Sequence, residues 1–394
     1  MNNVQDTYLY NVKIVTPEST IQNGWILLTE GRISAMGQDT GSVEHARTLS
    51  PSCDLIDGQG GWVIPGFIDI HVHGGYGYDF MDADAAELDA IARFHGQHGT
   101  TGMLATNVTA PKADLDRVLE RVQAYRESGM AYAQLLGVHL EGPYISAKWP
   151  GAQNPQHIVP PQPAWLDDWT RRFPGLIRMQ TLAPETEGAL EYIEALAAQG
   201  IVAALGHTDA TFDQVQLAVR HGLSHAVHTF NAMTRLHHRE PGTVGAVLTN
   251  PAIMAEVIAD GHHVHPACIG LLAQLKGPDN MVLITDAMSA AGLGNGEYKL
   301  GDLDVVVNDG VARLKEGDSL AGSTLTMIDA FRYAVLNAGI SVEHASRMAS
   351  ATPARRLGIE QATGSLAPGK QADVLLLNAQ LELERVWVQG RAIR

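Results

Sequence analysis

Residues 62–75 read WVIPGFIDIHVHGG, an apolar run that ends by delivering two histidines one residue apart, His71 and His73. Side chains at i and i+2 of a strand leave it on the same face, so the two imidazoles aim at one spot. Neutral imidazole nitrogens ligate zinc and similar metals, and two of them on one rigid strand lose little entropy on binding. An isolated pair would fit a buried or capping role on a strand edge equally well. What surrounds it decides between the two.

Downstream, seven further short apolar runs follow: TGMLATNV, QLLGVHLE, IRMQTLAP, IVAALGHT, HAVHTFN, AIMAEVIAD and MVLITDA. Between several of them lie amphipathic stretches that end in glycine, as helix C-caps do: residues 83–99, 112–129, 186–200 and 209–222. Strand and helix repeated eight times predict a (β/α)8 barrel. Both chain ends read differently. YLYNVKIV and GWILLTEGRISAMG, with a hairpin turn at Glu30-Gly31, resemble in style ADVLLLNAQ and LERVWVQGRAI near the C-terminus. The expected organisation is therefore a small β-sandwich built from 1–62 and 358–394, bracketing a barrel over 63–357.

Composition narrows the partners. The chain has 394 residues, 45% of them hydrophobic and 18% charged, enough to bury a large core. A formal charge of -16 argues against nucleic acid and anionic membrane surfaces, although a local basic pocket could still meet a small anion. The two cysteines, Cys53 and Cys268, lie far apart and outside any CxxC spacing, so a metal has to be held by His, Asp and Glu. The N-terminal residues lack a basic stretch followed by a long apolar one, and no apolar run reaches the ~18 residues of a membrane span. A cytoplasmic protein is the expectation.

Polar residues gather at the carboxyl ends of six strands: His71 and His73, Glu141, His207, His228, His263 shortly after Asp260, and Asp286. In a barrel those ends meet on one face, where such folds place their active sites. Histidines scattered for packing would not favour one end of successive strands, so convergence points to a metal site. Bland alternatives exist for each. Glu141 could cap a loop, and His207 could merely precede a helix N-cap at Thr208 or Asp209. His225 reads as a structural residue beginning its strand, and so does His139. His95, His98, His221, His237, His238, His262 and His265 read as solvated or local. Two motifs mislead. GSLAPGK at 364–370 has phosphate-loop spacing, but Gln371 and a following strand exclude it, and GLGNG at 292–296 opens no helix.

PGFIDIHVHG, GVHLEGPYIS, LGHTDAT, HTFNAMTRLHHREPG, ADGHHV, LITDAMSAAG and LAGST together resemble the amidohydrolase superfamily and, within it, the N-acetylglucosamine-6-phosphate deacetylase family. The resemblance runs from about Tyr8 to the end. It implies a metal-dependent barrel with a β-sandwich that removes acetate from an amino-sugar phosphate, acting as a homodimer without nucleic acid or membrane. Matched residue by residue, it implies metal ligation by Glu141, His207 and His228 and catalysis by Asp286. It implies substrate contacts at Asn231, Ala232, Arg239, His263, Ala321 and Gly322. Ala152 and Gln153 of PGAQNP join these, Gln153 standing where some relatives have histidine. Because His71 and His73 are retained, one or two divalent metals are expected, zinc foremost, with iron, manganese or cobalt suited to the same donors. Asp286 would move the proton of a metal-activated water, and Arg239 would offer phosphate a planar fork. Other readings are an amidohydrolase for a different substrate, such as the galactosamine epimer, a dipeptidase or a dihydroorotase-like enzyme, and a non-catalytic sugar-phosphate sensor. The fourth strand offers no lysine for carboxylation, which weakens the dihydroorotase-like reading.

Overall fold

The computed structural model describes residues 5–38, 42–317 and 319–394. All eight predicted barrel strands form: Phe67–Val72, Thr100–Thr106, Gln134–Glu141, Ile177–Leu182, Val202–Leu205, His225–Ala226, Met254–Ile258 and Met281–Ile284. They lie side by side in chain order, each pairing between neighbours being parallel. Strands covered on both faces can afford no polar alternation, and the first, second, seventh and eighth are buried at every residue.

Closure between the eighth strand and the first uses a side chain. The Asp69 carboxylate accepts from the Thr285 hydroxyl and backbone N–H, and the Asp286 N–H donates to the His71 carbonyl at 2.9 Å. The first strand and the segment bearing Asp286 are thus fixed to one another before any ligand enters.

The four predicted helices form as Ala85–Gln97, Lys112–Ser128, Ala189–Ala198 and Phe212–Arg220. Asp84 with Glu87 and Thr211 with Gln214 make reciprocal capping boxes, so Thr211, not Thr208 or Asp209, caps the helix after His207. After the eighth strand the chain adds an antiparallel three-stranded sheet, Gly296–Leu300, Leu303–Asn308 and Val311–Leu314. Its strands carry charges on their exposed side, Glu297, Lys299, Asp304 and Arg313, and so lack the apolar runs by which the barrel strands are read. Its inner face, Leu300, Val305, Val307 and Ala312, packs with Val108, Met288, Ala290 and Ala321 at the barrel rim.

Both chain ends enter one further sheet, ordered Arg391–Ala392, Leu383–Val388, Val374–Leu377, Trp62–Pro65, Thr7–Val15, Thr20–Thr29, Arg32–Gln38, with Asp54–Asp57 also beside Thr7–Val15. The opening stretch therefore serves two sheets. Trp62–Pro65 joins the two chain ends, and Phe67–Val72 begins the barrel one residue later. Gly66 makes that turn possible, since a Cβ there would lie 2.3 Å from the Thr101 side chain. Pairing on both sides places Trp62–Pro65 in the terminal sheet, across the proposed boundary between 62 and 63.

Candidate active site

Six side chains converge at the carboxyl end of the barrel. His71 and His73 come from the first strand, Glu141 ends the third, and His207, His228 and Asp286 follow the fifth, sixth and eighth. All are buried. His207, His228 and Asp286 hold left-handed backbone conformations, with φ of 47, 28 and 52°. A non-glycine residue pays of order 1–3 kcal/mol for such a conformation, which persists only where surrounding structure imposes it. Here it turns each side chain inward as its strand ends.

Glu141 is the hub. Its Oε1 lies 3.2 Å from His207 Nε2, 3.1 Å from His228 Nε2 and 3.4 Å from His71 Nε2. Its Oε2 lies 3.5 Å from His73 Nε2. Asp286 Oδ1 sits 3.0 Å from His73 Nε2 and 3.4 Å from His71 Nε2. His207 and His228 face each other Nε2 to Nε2 at 3.1 Å. Lone pairs crowded this closely repel unless a cation or a proton lies among them. Among the described residues, His71 Nε2 and Asp286 Oδ1 are buried without a hydrogen-bond partner, as atoms intended for a cation would be. Among the described residues, two sets could each hold a metal ion: His71, His73 and Asp286, and His71, Glu141 and His228. The donor set, imidazoles and carboxylates without thiolate, fits a divalent first-row metal.

The electrostatics agree. Burial alone would keep His71 neutral, but Glu141, Glu256 and Asp286 outweigh it and raise its pKa well above the ordinary value. Burial opposes the Glu141 and Asp286 charges too, yet the neighbouring histidines hold both below the usual carboxylate range. The cluster thus carries concentrated negative charge in a desolvated setting, the condition under which a metal displaces protons most effectively.

A cavity of about 400 Å³ opens above these residues, lined also by Ala152, Gln153, Asn231, Ala232, His263 and Gly322. His263 is held there by Asp260, whose Oδ2 lies 2.6 Å from its Nδ1. Gln153 is more enclosed than a substrate contact need be: its Oε1 accepts from the Thr109 N–H at 2.5 Å and its Nε2 donates to Glu141 Oε2 at 2.5 Å. It fixes the Glu141 carboxylate, turning Oε1 to the three histidines. Ala321 is fully buried beneath the rim. Arg239 is not brought to this cavity. It lies in an exposed run from Arg235 to Glu240 and lines a separate hollow with His237 and Pro241.

Sequence reasoning missed Glu256, which lies on the seventh strand with no exposed surface and bonds His71 and His225. A carboxylate in the middle of the apolar run AIMAEVIAD, ahead of the Asp260 that ends it, was the available signal. His225 and His139 are structural, as expected, His139 bonding Thr181 at 2.8 Å. His95 is not solvated: it is fully buried, with Nε2 2.9 Å from the Gly74 carbonyl.

Several known proteins are similar to this chain. A chain from Bacillus subtilis (strain 168) called N-acetylglucosamine-6-phosphate deacetylase is 36% identical over 95% of this chain and 93% of its own length. An N-acetylgalactosamine-6-phosphate deacetylase from Escherichia coli O157:H7 is 42% identical over 83% of this chain and 86% of its own. A Mycobacterium smegmatis N-acetyl-D-glucosamine-6-phosphate deacetylase, solved as an aspartate-to-alanine mutant in complex with N-acetyl-D-glucosamine-6-phosphate, superposes with TM-score 0.92 at 35% identity, covering 99% of both chains. The Amidohydrolase family profile matches residues 62–393, from the strand that joins the two sheets almost to the last residue. A parallel eight-stranded barrel with histidines and carboxylates gathered at its carboxyl end is what that match predicts, and the chain belongs to the amidohydrolase family.

Proposed function

We propose that this chain hydrolyses the N-acetyl group of N-acetylglucosamine 6-phosphate, giving glucosamine 6-phosphate and acetate in amino-sugar catabolism. The observation that carries the reading is the convergence of Glu141, His207, His228, His71, His73 and Asp286 in a chain 36% identical to a deacetylase of that name over almost its whole length. Glu141, His207 and His228 would hold one divalent metal, and His71 and His73 a second and weaker one, with Glu141 between them. Zinc suits these donors, as do iron, manganese and cobalt. A bound divalent cation supplies Lewis acidity and lowers the pKa of water from ~16 to about 7.

Asp286 takes the proton of the attacking water as the new C–O bond forms, then returns it to the amide nitrogen as the C–N bond breaks. His71 at 3.4 Å and His73 at 3.0 Å together favour the ionised, receptive state of the Asp286 carboxylate against its burial. Asn231 and His263, lining the same cavity, would orient the sugar.

The cavity of one chain offers the phosphate end Lys148, whose Nζ lies 2.8 Å from Asp209 Oδ2, while Arg239 stands exposed outside it. We infer a homodimer in which a partner copy adds a further cation to the pocket. A second reading, the galactosamine epimer as substrate, is favoured by the 42% identity to the Escherichia coli enzyme. Acetate release from both epimers, with and without the 6-phosphate, on metal-analysed protein tests reaction and substrate together. Rapid release from the glucosamine epimer alone is expected, and no release from either phosphorylated sugar would end the proposal.

A further inference from the structure

Glu256 is used by none of the steps above, yet it touches three parts of the site. Its Oε2 lies 2.9 Å from His71 Nδ1 and accepts from the His228 backbone N–H at 3.3 Å. Its Oε1 lies 2.9 Å from His225 Nε2. An ionised carboxylate can only accept, so each ring nitrogen facing it carries its hydrogen. In the neutral ring of His71 this commits Nδ1 as the donor and leaves Nε2 as the nitrogen whose lone pair a metal takes when it displaces the second proton. Nε2 points to the opposite side of the ring, 3.4 Å from both Glu141 Oε1 and Asp286 Oδ1, and has no hydrogen-bond partner among the described residues.

We propose that Glu256 is a positioning residue that makes His71 a metal ligand, and that it thereby decides whether the position at His71 and His73 fills. The inference rests on the metal-dependent reading above. Without an acceptor at Nδ1 the neutral ring is free to move its hydrogen to Nε2, where it would donate to Glu141 or Asp286 and close the metal position. His73 has a weaker restraint, its Nδ1 lying 3.2 Å from the Thr106 carbonyl. Control over the pair therefore passes through His71. The competing account is that Glu256 merely ties the seventh strand to His225 on the sixth.

Three variants separate the accounts: Glu256→Leu removes the acceptor, Glu256→Gln keeps a carbonyl able to accept from His71, and His225→Asn removes the tie to the sixth strand but leaves the His71 bond. Metal-free protein is titrated with cobalt(II), reading bound equivalents by equilibrium dialysis, ligand-field absorption, and the melting temperature of the metal-free form. Wild type and His225→Asn should bind two equivalents, Glu256→Leu one, and Glu256→Gln two with the second weakened ~10-fold, the lower end of what outer ligand contacts contribute. Two equivalents of wild-type affinity in Glu256→Leu would overturn the proposal. Equal loss in His225→Asn would do the same, by assigning the effect to packing. If Glu256→Leu does not fold, unchanged second-site affinity in Glu256→Gln overturns it. A wild type that binds no cobalt instead removes the metal-dependent reading itself.

Discussion

The barrel mouth and the loop after the sixth strand are near neighbours in sequence and opposites in structure. His228 is 4% exposed, its ring 3.1 Å from Glu141. Arg239 stands in a fully exposed run, its guanidinium 2.8 Å from His238 Nε2 and, among the described residues, paired with no carboxylate. At the mouth, several of the converging side chains are held by a second group: Gln153 holds Glu141, Glu256 holds His71, and His73 pairs with Asp286. Rigid support of this kind is what catalysis requires of groups that must be accurately placed. Among the described residues, Arg239 has no such support. The proposed chemistry is thus built on braced side chains inside one chain, whereas Arg239, proposed for phosphate, stands on an exposed loop.

The sharpest test of that contrast is Asp286→Asn, which keeps the shape but removes the base. We expect kcat to fall by at least ~10²-fold with metal content and melting temperature held. Loss of metal or stability alongside activity would make Asp286 a ligand or anchor instead, and full activity with full metal would remove it from the reaction. Next, the His71→Asn, His73→Asn double variant should lose the weaker metal and keep the one at Glu141, His207 and His228. Elemental analysis with unchanged stoichiometry would make the pair structural and the mouth simpler than argued.

On the loop side, Arg239→Ala should raise KM for the phosphorylated sugar by ~10-fold or more, the worth of a charge-assisted contact, and leave the dephospho analogue nearly unchanged. Equal effects on both would take Arg239 out of phosphate binding. Light scattering provides the companion measurement, since a monomer at working concentration would leave the loop with no pocket to complete.

The smallest expected effect lies beneath the mouth. Burial lowers the His95 pKa to about 4 from 6.5, so as pH falls below 6.5 the unfolded chain gains a proton there that the folded chain refuses. The stability His95 contributes is present above the unfolded value and is lost as pH falls toward the folded one. Between about pH 7 and 5.5 this costs about 1 kcal/mol. Urea unfolding at both pH values should show a shallower acid dependence in His95→Gln than in wild type, and parallel curves would mean that the ring is charged in the fold.

Apolar periodicity and glycine punctuation were enough to read the eight strands, four of the helices and the joint sheet of the chain ends. They suffice because burying both faces of a parallel strand leaves no choice of residue type, and a helix end requires its cap. The antiparallel sheet over 296–314 escaped the same reading, because charged residues on its exposed side interrupt the apolar runs.

The sequence by itself determined that histidines and carboxylates sit at strand ends, because position along a strand is a local property and a barrel gathers those ends on one face. Only the tertiary structure decided which of them meet and what each one faces. Gln153 fixes Glu141 across a loop, Glu256 reaches His71 from a strand 185 residues away, His95 is buried rather than solvated, and Arg239 turns out of the pocket. Orientation of a polar side chain depends on which partner satisfies it once water is excluded, and that partner comes from elsewhere in the chain.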